Sequence, residues 1–168
     1  MILSPAKLNI SLKVNNLLDN GYHSISSYVF FLDLFDKLYI EKSSFNKVIV
    51  SGLFKDALMN NGGDTIIDKS ISFCKNHYKI NQNLIIRLEK NIPVSAGVGG
   101  GSANCASIIR YFLSESKSGN IITNETAQFS ASLGSDVPAC LYSRPLIMEG
   151  RGEKTTLIEF NDKLDIGV

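Results

Sequence analysis

The stretch Val94-Ser95-Ala96-Gly97-Val98-Gly99-Gly100-Gly101-Ser102-Ala103-Asn104 places four glycines within residues 97–101, directly before an apolar-periodic segment. Glycine loses more backbone freedom on ordering than any other residue, so some gain must offset that cost. Upstream, Leu84, Ile86 and Leu88 alternate with Ile85, Arg87 and Glu89, as on a strand. Downstream, Cys105, Ile108, Ile109, Phe112 and Leu113 recur along one helix face. A strand, a glycine-rich loop and a helix in that order can hold phosphate. The unpaired N–H groups of the helix's first turn and the positive end of its dipole converge on an anion. Glycines let the backbone approach the oxygens and form an anion-binding nest. Ser102 stands where an N-cap or a phosphate-contacting hydroxyl belongs. An exposed dipole contributes only ~0.3–1 kcal/mol, so charge-assisted N–H bonds at roughly 1.5–3 kcal/mol each would carry most of the affinity. The loop lacks the Gly-Lys-Ser/Thr of a Walker A sequence and is not a dinucleotide fingerprint. Taken alone, it fits a flexible connector as well as a phosphate site.

Outward from the loop, the chain mixes strands and helices. Leu8, Ile10, Leu12 and Val14 alternate with Asn9, Ser11 and Lys13, which predicts a half-buried strand with Lys7, Asn9 and Ser11 on the face opposite the apolar row. Asp19-Asn20-Gly21 predicts a turn, followed by strands over residues 28–32, 37–40 and 47–50. Asp64 is a candidate N-cap for a helix whose stripe is Ile67, Ile71, Cys74 and Tyr78. A shorter helix is expected from about Glu125 to Leu133, stopped by Gly134. A hairpin is expected about Gly150-Arg151-Gly152. Without strict strand–helix alternation, the pattern favours an α+β domain over a doubly wound parallel sheet.

Bulk properties narrow the partners. A chain of 168 residues is enough for one domain with a real core. Its net charge of +1 gives no global field to recruit nucleic acid or an anionic membrane. No apolar run reaches transmembrane length, and the first residues lack a signal pattern. Cys74, Cys105 and Cys140 stand far apart and are odd in number, so buried thiols in a reducing cytoplasm are expected. Neither His23 nor His77 has partners at metal-ligand spacing.

Three further stretches accompany the loop: Ser4-Pro5-Ala6-Lys7-Leu8-Asn9, Gly21-Tyr22-His23 and Gly134-Ser135-Asp136-Val137-Pro138. With these motifs in this order, the sequence resembles the GHMP kinases, and among them the kinases of 4-diphosphocytidyl-2-C-methyl-D-erythritol. The resemblance covers nearly all of the chain but little more than the first half of a typical member. It implies a ribosomal-protein-S5 domain-2-like α+β fold. It also implies transfer of phosphate from ATP, with Mg2+, to the 2-hydroxyl of that cytidylyl substrate in non-mevalonate isoprenoid biosynthesis. Residues 1–160 would form the N-terminal, ATP-binding domain, and residues 161–168 would start a second domain that is otherwise absent.

The resemblance also assigns roles. Asp136 would be the catalytic base, accepting the proton of the attacking hydroxyl, and Lys7 would stand beside it and offset charge on the transferring phosphoryl group. Pro93, Val94, Ser95, Ala96, Gly97, Val98, Gly99, Gly100, Gly101, Ser102 and Ala103 would hold ATP. Asn9 would position the substrate, Tyr22 would stack on cytosine and His23 would read its edge. Lys90 is a weaker candidate for a contact near the nucleotide. Without the resemblance, Asp136 reads as a solvated acid past a helix end, Lys7 as a strand-edge lysine and His23 as a surface residue. The sequence departs from the family at Val98 (commonly leucine), Ala103 (serine) and Cys105 (alanine), and in its length. A non-catalytic nucleotide-binding module and a kinase of another small alcohol remain alternatives.

Overall fold

The computed structural model describes residues 1–17, 21, 23–60, 62, 65–116, 119 and 121–160. Its spine is β2 (His23–Ser43). β1 (Ile2–Leu17) runs antiparallel along one edge of β2. The other edge is shared: residues 25–29 take β5 (Leu146–Gly150) and residues 37–43 take β4 (Asn83–Glu89), both antiparallel. β3 (Lys47–Ser51) lies parallel to β4 on its outer side, and β6 (Lys154–Leu157) pairs with β5. The parallel pair requires a crossover, supplied by α1 (Lys55–Asn60) and α2 (Thr65–Tyr78). α3 (Gly100–Glu115), α4 (Asn124–Ser130) and α5 (Val137–Tyr142) follow β4. The result is an α+β domain, as the mixed pattern predicted.

One core forms where the apolar stripes meet. Leu84, Ile86 and Leu88 of β4 and Leu38 of β2 pack with Ile67, Ile71 and Cys74 of α2 and Cys105, Ile108, Ile109 and Phe112 of α3. Burying a side chain of this size contributes about 1.5–3 kcal/mol, so this cluster carries much of the stability. All three cysteines are free and buried, and burial pushes the Cys140 thiol up to about 12. A thiol reagent should therefore find no reactive group in the native protein and three after unfolding in denaturant. Rapid native labelling of Cys74 or Cys140 would contradict this packing.

The structure departs from the sequence reading in several places. Residues 28–32 and 37–40 belong to one continuous strand, because Asp36, which interrupts the apolar pattern, is fully buried and bonded inside the sheet. The β1–β2 ladder shifts register between Pro5 and Lys7, between Asn9 and Ser11, and between Val14 and Leu17. The middle shift pairs Asn9 with Val29 but Ser11 with Tyr28, so Ser11 turns to the face opposite Lys7 and Asn9. Ser4 to Lys7 are buried, whereas Ile10, Leu12 and Val14 are exposed, because the ribbon continues past the helical layer. α4 ends at Ser130 rather than Leu133, with Thr123 Oγ1 accepting the Thr126 N–H as its cap. The short helices α1 and α5 give no periodic signal, although Asp136 before Pro138 is a helix-start pattern. The Asp64 cap, Asp19, Asn20 and residues 161–168 lie outside the described residues.

Candidate active site

The glycine loop curls between β4 and α3. Ser95, Gly97 and Gly99 adopt left-handed backbone conformations with φ of 59°, 74° and 67°, while Ala96 and Val98 do not. Alternation of this kind turns successive N–H groups toward one side and forms a nest for an anion. Gly99 is the N-cap of α3, and the helix begins at Gly100. Ser102 is therefore in the first turn and is not the N-cap, which corrects one of its two expected roles. Residues 93–102 line a cleft of about 300 Å³, together with the apolar side chains of Leu58 and Ile66 and with Lys90. Lys90 itself is buried and donates to Asp36 Oδ2 at 2.7 Å and to the Ile92 carbonyl at 2.5 Å.

Lys7 and Asp136 meet at the edge of this loop. Lys7 Nζ lies 2.9 Å from Asp136 Oδ2, with the lysine side chain 4% exposed and the aspartate side chain 28% exposed. The backbone joins them to the loop, since the Lys7 N–H donates to the Val98 carbonyl at 2.7 Å. The approach is close: a Cβ placed on Gly99 would stand 3.2 Å from Lys7 Cβ and Cε and 3.7 Å from Asp136 Oδ2. Glycine at that point keeps the nest, the ammonium and the carboxylate in contact.

Each partner is held from behind. Lys7 Nζ donates to Asn9 Oδ1 at 2.6 Å, Asn9 Nδ2 donates to Ser27 Oγ at 2.6 Å, and Ser27 Oγ donates to the Ser11 carbonyl at 2.5 Å. Both ends of the Asn9 amide are thus engaged with the protein. Ser27, buried on β2, was missed in the sequence, where it is one of several serines without a motif. Asp136 occupies the N-cap position of α5, yet its side chain makes no capping bond and faces Lys7 instead. Arg110 of α3 anchors the far end of α5, donating to the Cys140 and Leu141 carbonyls and to Ser143 Oγ. Gly152, at the tip of the β5–β6 hairpin, lies against Ser135, the residue before Asp136.

The substrate candidates divide. Asn9 joins Lys7 and Asp136. His23 is exposed at the start of β2, paired with Leu17 at the far end of the β1–β2 ladder, and its Nδ1 lies 3.3 Å from the Asn15 carbonyl. It is not brought to the Lys7–Asp136 pair. Tyr22 lies outside the described residues.

A nest of N–H groups beside a paired ammonium and carboxylate is suited to holding a phosphate chain next to a group that accepts a proton. Residues 65–144 match the N terminal domain of the GHMP kinases. The 4-diphosphocytidyl-2-C-methyl-D-erythritol kinase of Chelativorans sp. (strain BNC1) is 35% identical over 156 residues, which is 90% of this chain and 52% of that protein. The enzyme of the same name from Thermoanaerobacter sp. (strain X514) is 38% identical over 148 residues, covering 88% and 50%. The chain spans about half the length of the curated relatives it matches. A crystal structure of 4-(cytidine 5'-diphospho)-2C-methyl-D-erythritol kinase shares the fold, with a TM-score of 0.71 at 24% identity, over 95% of this chain and 55% of that one. The matched segment, these relatives and the shared α+β fold make the chain similar to the N-terminal part of the GHMP kinases.

Proposed function

We propose that this chain supplies the nucleotide cradle and the catalytic pair of a kinase that transfers the γ-phosphoryl group of ATP to the 2-hydroxyl of 4-diphosphocytidyl-2-C-methyl-D-erythritol. Residues 1–160 are the ATP-binding domain in this reading. One observation carries it: Lys7 and Asp136 pair at 2.9 Å beside the glycine nest that opens α3. The names of the relatives support the choice of substrate.

In this reading the base of ATP rests against Leu58 and Ile66, and its phosphates run along the N–H groups of residues 97–102. Asp136 accepts the proton of the substrate hydroxyl as that oxygen attacks in line. A carboxylate is a weak base for an alcohol, so the proton moves late and Asp136 acts largely by aiming the nucleophile. The Lys7 ammonium stabilises charge gathering on the transferring group. Among the described residues, no group of three or more His, Cys, Asp or Glu forms a metal cage. Ser102 Oγ, near Gly134, and the Asp136 carboxylate are among the oxygens at the mouth. This sparse set fits a Mg2+ that arrives on the nucleotide phosphates, keeping waters and one or two protein ligands. Such an ion neutralises the phosphate charge when bound. His23, with Tyr22, reads the cytosine in this proposal.

The test is ADP formation by the full-length protein with ATP and the cytidylyl substrate, with mevalonate and homoserine as control alcohols. Turnover with the cytidylyl substrate alone is expected. Preference for another alcohol would replace the substrate assignment, and triphosphate binding without any turnover would leave only a nucleotide-binding module. Ser27→Ala should lower kcat about tenfold with the ATP KM unchanged, because Asn9 loses its anchor and Lys7 its orientation. Steady-state kinetics would show whether KM moves instead, which would mean that Ser27 acts on nucleotide binding.

A further inference from the structure

Asp36 is fully buried in the middle of β2, and both of its oxygens are committed. Oδ1 accepts the backbone N–H groups of Asn91 at 2.7 Å and Ile92 at 2.8 Å. Oδ2 accepts Lys90 Nζ at 2.7 Å and Asn104 Nδ2 at 2.9 Å. Residues 90–92 lead into the glycine loop, and Asn104 lies just beyond it, in the second turn of α3. One carboxylate therefore pins both ends of the loop to the central strand. Lys90 tightens the same knot by donating to the Ile92 carbonyl.

Stability alone is a poor reason for such an arrangement. A buried ion pair recovers its desolvation cost only with excellent geometry, and well-packed apolar residues are often as stable. The packing around the knot shows what it controls. A Cβ on Gly100, the first residue of α3, would stand 3.2 Å from Lys90 Nζ and 3.0 Å from Ile92 Cγ2. Any movement of the ammonium is thus felt at the start of the helix, where the nest points its N–H groups. Among the described residues Asn104 Oδ1 is buried with no hydrogen-bond partner, and the bond from its Nδ2 to Asp36 orients the amide.

We infer that Asp36 is a positioning residue for phosphate recognition, fixing the spacing of the glycine nest through Lys90, Ile92 and Asn104. This rests on the reading of residues 93–103 as the phosphate cradle. Loss of the carboxylate leaves the apolar seat at Leu58 and Ile66 in place but lets the ends of the nest drift apart. Affinity for the phosphate chain falls, and affinity for the nucleoside does not.

The test is calorimetric binding of a non-hydrolysable ATP analogue and, separately, of adenosine to wild type and Asp36→Asn. The variant keeps the size of the side chain and turns an amide toward two donors. Analogue affinity should fall at least tenfold while adenosine affinity changes less than twofold. Analogue affinity within twofold of wild type, or a parallel loss of both ligands, overturns the inference. Should Asp36→Asn not fold, the double variant Asp36→Leu/Lys90→Met removes both charges together, and a folded double variant that keeps full analogue affinity overturns it equally. A wild-type chain that binds no triphosphate overturns the cradle reading and this inference together. Wild-type binding with an unaffected variant overturns this inference alone.

Discussion

Lys7→Met should slow phosphoryl transfer by about a thousandfold, roughly 4 kcal/mol of transition-state stabilisation, while the KM for ATP changes little. Methionine fills the space of the lysine stem, and the change removes the ammonium that contacts both Asp136 Oδ2 and Asn9 Oδ1. At their separation the gross attraction between the two charges is roughly 6 kcal/mol at an effective dielectric of ~20, before desolvation. Asp136 stays partly exposed and survives the loss of its partner by taking up water. The fold should therefore persist and the defect should fall on kcat. Single-turnover kinetics with matched circular dichroism would measure this. A folded variant turning over within tenfold of wild type would remove Lys7 from the chemistry.

Gly152→Ala should unfold the protein more easily by about 3–5 kcal/mol and disturb the site as well. Gly152 is buried with φ of 113°, a region that residues with a side chain rarely enter. A Cβ there would sit 2.4 Å from the Ser135 carbonyl oxygen, far inside contact distance. Backbone must move, and the backbone in question carries Asp136. Gly101→Ala is the natural control, because its Cβ would find its nearest neighbour, Ile66 Cγ2, at an ordinary 3.8 Å inside a helix. That change should leave stability equal or raise it by up to ~1 kcal/mol. Thermal melts should separate the two by about 10 °C or more for a domain of this size. Equal melting temperatures would mean that the hairpin tip yields without effort.

The contrast between these glycines shows what a sequence can and cannot carry. The helical stripe of Ile67, Ile71 and Cys74 and the alternation of β4 depend on neighbours a few residues away, so they are legible in the sequence. The glycine loop was legible as a backbone requirement for the same reason. Asp36 was not, since an acid inside an apolar run reads as a break until Lys90 and Asn104 arrive from distant positions to satisfy it. Ser27 was silent because a serine means little until Asn9 reaches it diagonally across the ladder. The displaced Ser11 needed a register shift that alternation cannot foresee. Lys7 and Asp136 were named through family resemblance, and the chain alone gave no sign that they would touch.

The outer reach of β1 has a practical side. Among the described residues this strand has one partner, and its free margin carries Ile10, Leu12 and Val14 open to water. Unsatisfied amides beside oily side chains invite other molecules to stack on them, and natural sheets blunt such borders with charge. Concentrated solutions of this polypeptide by itself should cloud or form oligomers, and Leu12→Lys should keep them clear in light scattering.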